Sequence, residues 1–339
     1  MSFTTNINTV KSEGLTALAS TAILERIRED LADGGKKAGK KRQEAVEAIG
    51  ELIQAGPFMA PFTVALMADT LQVCGDKIRP VATKATEVMD TIAENLTSNG
   101  VKACIPHLAA AMNTGENKAG TVVAALQFIN ELLKKSSLQV LAELVTLVPL
   151  LADLMNDTSG DVEDEARELI KEMTTLIANT DVEPLLPTLV KAMIEPETET
   201  CEAVHKLAGT TFAQVLDAPT YAMVLPVLVR GFNEPQQNVK RMCAVVVDNM
   251  VKLALEPVDA SPFIPACLPT LEKLCETVSD PEARGMCERA RDALIRLKAK
   301  CEDPTSKKLA DVSIVKPLVI EACGGKVEEF FGVSADYVA

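Results

Sequence analysis

Five copies of one short motif, an aliphatic residue followed by Pro, any residue and Leu, recur along this chain of 339 residues. The motif prolines are separated by 43, 38, 39 and 43 residues and lie at Pro106, Pro149, Pro187, Pro226 and Pro269. A chain of this length rarely folds around one round core, and a period of about forty residues is typical of structural repeats. The spacing therefore predicts an array in which each repeat packs on its neighbours.

Each motif begins a segment whose apolar residues recur at helical spacing, as Leu186, Leu189 and Met193 do. A polar turn follows, and then a longer helical stretch such as residues 239–253, which carries a continuous apolar stripe. No segment alternates with the period of a strand. The predicted fold is all-α, a right-handed HEAT-repeat solenoid of about seven helix pairs, with each motif proline bending a first helix near its start.

The predicted array covers residues 1–300, and residues 1–80 form atypical N-terminal capping repeats because they lack the proline motif. In the region before the first motif, helices are predicted over residues 11–31, 43–53, 58–71 and 78–96. Residues 301–339 begin with a linker-like run and are predicted to start a further domain that this chain does not finish.

Composition excludes several classes of protein. A net charge of −14 argues against a surface that clamps nucleic acid throughout, although a local basic stripe remains possible. The best candidate for a membrane span, residues 138–155, is interrupted by Glu143, Pro149 and Asp153, and the N-terminus lacks an export signal. Nine scattered cysteines without a Cys-x-x-Cys pair predict buried thiols in a reducing cytoplasm and no metal site.

Two features could suggest catalysis. Residues 34–40 match the first seven positions of a phosphate-binding loop, but Lys41 replaces the Ser or Thr that would bind magnesium. A charged helix rather than a buried strand is predicted before Gly34. His107 and His205 lie in helices of different repeats, with no nucleophile aimed at either. The sequence therefore predicts no catalytic residues, no cofactor and no small-molecule substrate.

Basic residues concentrate in three places where phosphate could bind: residues 36–42, the pair Lys240 and Arg241, and residues 284–300. Each of the last two has an alternative interpretation. Lys240 and Arg241 begin a second helix and could instead pair with acids of a neighbouring turn, tying the repeats together. The stretch 284–300 interleaves acids with its arginines and could be an ordinary solvated helix face.

One ordered set of segments is more specific than the repeat itself. It comprises residues 204–205 (VH), 209–212 (GTTF), 225–232 (LPVLVRGF), 239–241 (VKR), 246–253 (VVDNMVKL), 262–265 (PFIP) and 280–284 (DPEAR). This set resembles the N-terminal HEAT domain of the translation elongation factor 3 family. The resemblance is dense over residues 200–298 and looser back to residue 80.

The resemblance implies a ribosome-dependent ATPase family in which a helical bundle, two ATP-binding cassettes and a chromodomain-like insertion follow the HEAT array. Such factors bind across both ribosomal subunits near the exit site and help to release deacylated tRNA late in translocation. Residues 301–339 would start the bundle, and the cassettes that bind ATP would lie outside this chain. The expected partners are ribosomal RNA and proteins. A cytoplasmic monomer is expected, although no sequence feature fixes the oligomeric state.

The sequence thus predicts a non-catalytic, ribosome-binding HEAT module with no membrane partner. Its candidate contacts to ribosomal RNA are Arg230, Lys240, Arg241, Arg284, Arg289, Arg291 and Arg296. The alternative is a generic cytosolic protein-binding scaffold whose acidic groove takes basic peptides, which the net charge alone would favour. Basic residues gathered on one exposed face would support the first hypothesis, and acids lining a continuous groove would support the second.

Overall fold

In a computed structural model that describes residues 3–35, 38–254 and 256–302, the chain is almost entirely helical. The described helices are α1 (Phe3–Glu13), α2 (Leu15–Ser20), α3 (Ile23–Ala32), α4 (Gly39–Ile53), α5 (Ala60–Val73), α6 (Arg79–Asn95), α7 (Ser98–Ala111), α8 (Ala119–Lys135), α9 (Ser137–Leu141), α10 (Leu144–Leu154), α11 (Gly160–Thr174), α12 (Leu186–Ile194), α13 (Pro196–Gly209), α14 (Ala218–Asn233), α15 (Gln237–Val251), α16 (Phe263–Thr277) and α17 (Pro281–Glu302). These residues contain no strand, and Leu216 and Ala254 form an isolated parallel bridge.

Fourteen of these helices form seven consecutive pairs, which confirms the predicted HEAT-repeat solenoid. The first helices of the pairs are α3, α5, α7, α10, α12, α14 and α16, and the second helices are α4, α6, α8, α11, α13, α15 and α17. The two sets form two layers with one continuous apolar core between them. At the start of the array α1 packs on α2 and α4, and the short α9 lies between α8 and α10.

The motif prolines lie deeper in their helices than predicted. Pro106 and Pro226 are each the ninth residue of α7 and α14, Pro269 is the seventh of α16 and Pro149 is the sixth of α10. Only Pro187 lies in the first turn of its helix, α12. Four of the five first helices therefore begin before the motif and contain a proline that lacks the backbone donor for a helical hydrogen bond.

The start of α14 shows why the helix begins early. The Asp217 carboxylate accepts a hydrogen bond of 3.1 Å from the Thr220 amide, which caps the helix. One residue further, the buried Tyr221 donates its hydroxyl to the Met250 carbonyl at 2.8 Å and packs edge-on against Phe263, with ring centroids 5.3 Å apart. The turn before the motif thus belongs to the core and stays helical because it packs on α15 and α16.

The predicted helix over residues 11–31 is interrupted twice. Gly14, with φ of 67°, separates α1 from α2, and Ala22, with φ of 46°, separates α2 from α3. Both residues adopt the left-handed conformation, which cannot continue a right-handed helix. The chain therefore folds back on itself, and this places Ile7 of α1 and Ile27 of α3 in the core.

Polar ties between neighbouring repeats reinforce the core. Lys118, the residue directly before α8, donates its ammonium to the Gly75 carbonyl at 2.6 Å, 43 residues away. Asn156 after α10 donates to the Met193 carbonyl at 3.0 Å, 37 residues away. Such bonds satisfy main-chain acceptors at helix ends and fix the register of one repeat on the next.

At the C-terminal end, α17 continues to Glu302, two residues past the predicted boundary of the array at residue 300. Cys301 and Glu302, predicted to begin the linker of residues 301–339, are instead the last residues of α17. The rest of the predicted linker and bundle start, residues 303–339, lies outside the described residues, as does Cys323, so these stay predictions. No helix among the described residues is both long enough and apolar enough to cross a membrane.

Candidate functional site

Arg230, near the end of α14, lies where three first helices meet. Its guanidinium donates to the Ala152 carbonyl at 2.9 Å and to the Met193 carbonyl at 3.1 Å, at the last turns of α10 and α12. Asp153 lies 4.0 Å away and is mostly exposed, while 24% of the Arg230 side chain is exposed. Burial lowers the pKa of this guanidinium, and Asp153 partly opposes the effect. Arg230 therefore caps two neighbouring helices, and this role uses most of its donors.

Gly231 and Phe232 follow Arg230 and have packing roles. A Cβ atom on Gly231 would lie 2.5 Å from the Cys243 Sγ and 2.9 Å from a Val204 methyl, so only glycine lets α13 and α15 approach α14 this closely. Phe232 is 2% exposed. In the Arg-Gly-Phe sequence, the arginine thus caps helix ends, the glycine allows close helix packing, and the phenylalanine fills the core.

Lys240 and Arg241 lie in the first turns of α15 and behave differently. Arg241 pairs with Glu282 of α17 at 2.8 Å, across the boundary between two repeats. This geometry matches the alternative in which basic residues at the start of a second helix tie the array together. Lys240 is half-buried, and among the described residues no hydrogen-bond or ion-pair partner is found for its ammonium group.

The four candidate arginines of α17 do not form one cluster. Arg284 donates to the Val278 carbonyl at 2.8 and 3.0 Å, which caps the end of α16. Arg289 binds Asp248 at 3.2 Å, and Arg291 binds its neighbour Asp292 at 2.8 Å. Arg296 is exposed and has no ion-pair partner among the described residues.

Arg296 lines a small cavity at the end of the second-helix layer. The cavity measures about 240 Å³, and Lys252 and Lys300 line it together with apolar residues of α15 and α17. Lys252 also pairs with Asp248 at 2.7 Å. Among the candidate contact residues of α15 and α17, Lys240 and Arg296 are therefore the two whose charged groups are not engaged by another described residue.

Asp248 was not among the residues singled out from the sequence as functional. It is 2% exposed and accepts bonds from both Lys252 and Arg289, which joins α15 to α17. The sequence does contain a sign of this role, since Asp248 lies inside the apolar stripe of residues 239–253. A carboxylate buried there requires hydrogen-bond or ion-pair partners.

Acidic side chains converge on the second-helix layer in the N-terminal half of the array. Burial and the carboxylates of Glu131, Glu94 and Glu87 raise the pKa of Asp90, so α6 and α8 bring like charges together. Lys134 lies among them and pairs with Glu131 at 2.8 Å. Lys135 donates to the Ala93 carbonyl of α6 at 2.9 Å, so two lysines accompany these four acids, which lie on other helices than the candidate basic residues of α15 and α17.

The predicted basic loop of residues 36–42 is shorter in the structure, because α4 begins at Gly39 and includes Lys40, Lys41 and Arg42. Arg42 is 7% exposed and binds Asp76 at 2.8 Å, and it also donates to the Asp33 and Gly35 carbonyls. A helix, α3, precedes the loop, as predicted. Lys36 and Lys37 lie outside the described residues.

The histidines and cysteines are dispersed. His107 and His205 are exposed on α7 and α13. Burial raises the pKa of the Cys104 and Cys267 thiols to about 12, which keeps them protonated and weakly nucleophilic. In the part of the chain that the structure describes, no three His, Cys, Asp or Glu side chains are grouped to hold a metal ion.

Comparison with known proteins gives two family matches. The model of the elongation factor 3 N-terminal HEAT repeat matches residues 4–170, and the model of the elongation factor 3/GNC1 HEAT repeat matches residues 198–305. Both are HEAT-repeat models, and together they cover most of the array.

Similar curated proteins carry the same name. The chain is 33% identical to elongation factor 3 of Pneumocystis carinii over 258 residues, which is 76% of this chain and 25% of that protein. It is 30% identical to elongation factor 3B of Saccharomyces cerevisiae over 340 residues, covering 97% of this chain and 32% of the relative. The chain thus spans about a quarter to a third of the length of the curated relatives it matches. With both parts of its array matched by models of one family, the chain belongs to the elongation factor 3 family and corresponds to the HEAT-repeat region.

Proposed function

We propose that this chain docks on the ribosome in the cytoplasm, as the HEAT module of an elongation factor 3-like translation factor that assists late translocation and release of exit-site tRNA. Membership of the family carries this proposal, because the curated relatives are translation elongation factors by name. The module acts by binding, and any chemistry of the whole factor would belong to other domains.

The contact surface that we propose is the basic face of α15 and α17. Lys240 and Arg296 are its principal residues, since their charges are not neutralised by partners among the described residues. Arg241, Arg289 and Arg291 are ion-paired but remain at least partly exposed, and they could exchange an internal partner for phosphate. Phosphate contacts of this kind position a protein on RNA without reading its sequence.

Co-sedimentation with salt-washed ribosomes across a salt series tests this proposal. We expect saturable binding that weakens as salt rises, because each phosphate contact releases counterions. The double variant Lys240→Glu/Arg296→Glu should bind more weakly and with a shallower dependence on salt. A matched control, Lys102→Glu/Lys273→Glu, makes a similar change in net charge at exposed positions of α7 and α16. Equal losses in both variants would contradict docking through α15 and α17.

A second candidate function is a protein-binding scaffold. The acidic side chains gathered on α6 and α8 around Asp90 favour it, because they would attract a basic protein segment. If the chain fails to sediment with ribosomes at low salt but retains lysine-rich peptides, this second function is supported instead.

A further inference from the structure

The layer of second helices has one break. Each second helix from α4 onwards packs on the next one, with the exception of α11 and α13, which barely touch. In the first-helix layer α10 packs extensively on α14 rather than on α12. The short helix α12 packs on α13 and α14 and, less closely, on α11, so the side of α11 that meets the next second helix elsewhere in the array lacks that neighbour.

An open groove of about 600 Å³ lies at this break. Its apolar floor consists of Leu186, Pro187, Val190 and Ile194 of α12, and Lys171 and Thr174 of α11 form the opposite wall. Leu186 and Val190 are 5% and 8% exposed, so the floor continues the apolar core outward, while Ile194 is only half-buried. The floor extends along nine residues of α12, a length of about 13 Å.

The surroundings of this groove are strongly acidic. Residues 161–202 contain twelve Asp and Glu side chains against three Lys and Arg. Glu183 and Glu195 line the two ends of the groove. Lys191 at the rim is already paired with Glu199 at 2.8 Å. Lys171 and Lys191 balance the two glutamates within the lining, so the excess negative charge lies on the surface around the groove. An apolar floor in acidic surroundings is complementary to a segment that has apolar residues on one side and Lys or Arg on the other.

We propose that this groove, between α11 and α12, binds an amphipathic helix with a basic polar face, presented by a protein partner. Elsewhere in the second-helix layer the next second helix packs on this side of its predecessor, and two to three turns of helix match the length of the floor. Apolar residues at positions i, i+4 and i+7 would contact Leu186, Val190 and Ile194, and flanking basic residues would face Glu183 and Glu195. The site is separate from the basic face of α15 and α17 and does not depend on ribosome docking.

The test uses a fluorescein-labelled, 18-residue peptide with Leu at helical spacing and Lys at the flanking positions, and measures fluorescence anisotropy with no ribosome present. Ile194→Lys places a cation in the groove and should weaken binding by about tenfold or more. The matched control is Ile264→Lys, the same change at a half-buried residue of another first helix, α16. Circular dichroism during thermal unfolding verifies that both variants remain folded.

Binding by wild type and Ile264→Lys, with a loss confined to Ile194→Lys, would support the proposal. A companion peptide with Ser in place of Leu separates apolar recognition from charge attraction and should bind at least about tenfold more weakly. Equal binding of the two peptides, equal loss in both variants, or no binding of the Leu-Lys peptide would overturn it. Self-association of the wild type that Ile194→Lys abolishes, seen by sedimentation velocity, would also overturn it, because the occupant would then be a second copy of the chain.

Discussion

Arg42 and Arg241 occupy similar sequence positions near the starts of second helices, yet they have different environments. Arg42 of α4 is 8% exposed in its side chain and pairs with Asp76, which is 13% exposed. Arg241 of α15 is 35% exposed and pairs with Glu282, which is 72% exposed. Both pairs connect one repeat to the next. A basic residue near the start of a second helix therefore pairs with the next repeat in both cases, whereas burial decides how much the pair contributes to stability.

The largest effect is expected for Arg42→Ala. This change leaves Asp76 without its arginine partner and the Asp33 carbonyl without a donor, whereas the Gly35 carbonyl still accepts from the Ala38 amide. Removing one partner of a buried pair costs about 3–5 kcal/mol of unfolding free energy. Urea unfolding followed by circular dichroism measures the loss. The control Lys41→Ala removes a neighbour that is 63% exposed, and a similar loss in both variants would contradict the comparison.

The pH dependence of the Arg42 pair provides a second measurement on the same variant. Burial alone would raise the pKa of Asp76, but the Ile78 amide and Arg42 outweigh it and hold this pKa below its ordinary value of 3.8. A lowered pKa in the folded state stabilises the protein above the ordinary pKa, and the stabilisation is lost as pH falls through the folded value. The difference between wild type and Arg42→Ala should therefore shrink below about pH 4. An undiminished difference at about pH 2 would contradict the role of Asp76.

Arg230→Ala should lower the free energy of unfolding by an amount between those of Arg42→Ala and Arg241→Ala. The arginine is partly exposed like Arg241, but its acceptors are carbonyls at the ends of α10 and α12. Loss of these charge-assisted bonds should cost about 2–3 kcal/mol. Amide hydrogen exchange should also accelerate in α12, the helix beside the break in the array. Exchange that accelerates evenly along the chain would argue against a local capping role, and Arg296→Ala is the control.

Gly231→Ala tests whether close packing, rather than polar pairing, holds the C-terminal repeats together. The added methyl group would collide with Cys243 and Val204 unless α14 shifts from α13 and α15. Overpacking of this kind costs about 1–3 kcal/mol. The matched control, Gly209→Ala, adds a methyl group at the end of α13, where nothing lies within 4 Å. Equal stability of the two variants, measured by urea unfolding, would count against the close approach.

The smallest effect is expected for Arg241→Ala. An exposed ion pair such as Arg241 with Glu282 contributes about 0.2–1 kcal/mol, and salt screens it. Urea unfolding at low and high salt should give a small difference from wild type that vanishes at high salt. A loss as large as that of Arg42→Ala would show that exposure does not decide the strength of the pair.

Much of the fold was predictable because it follows from local periodicity. The motif spacing and the apolar stripe of residues 239–253 identified the repeats and the buried side of α15. The depth of the prolines was not predictable, since the turns before them are helical only through contacts such as that between Tyr221 and Phe263. Likewise the interruption at Ala22 has no local signal, because alanine ordinarily favours a helix.

For the candidate contact residues too, local sequence predicted their positions but not their environments. The sequence located basic residues on α14, α15 and α17, but it could not distinguish the capping guanidinium of Arg230 from the exposed one of Arg296. Partners of these side chains lie on other helices, often about forty residues away, as Asp248 does for Arg289. The contacts themselves stay predictions, and the structure favours Lys240 and Arg296 among them.

The helical repeat, the family and the helices that carry the charged residues all follow from the order of residues along the chain, so they could be read from the sequence. The pairing of charges, the capping of helix-end carbonyls by side chains and the separation of α11 from α13 follow only from the tertiary structure. Those properties depend on distances between repeats, and a few ångströms in the packing of α12 determine whether an apolar face is covered or open.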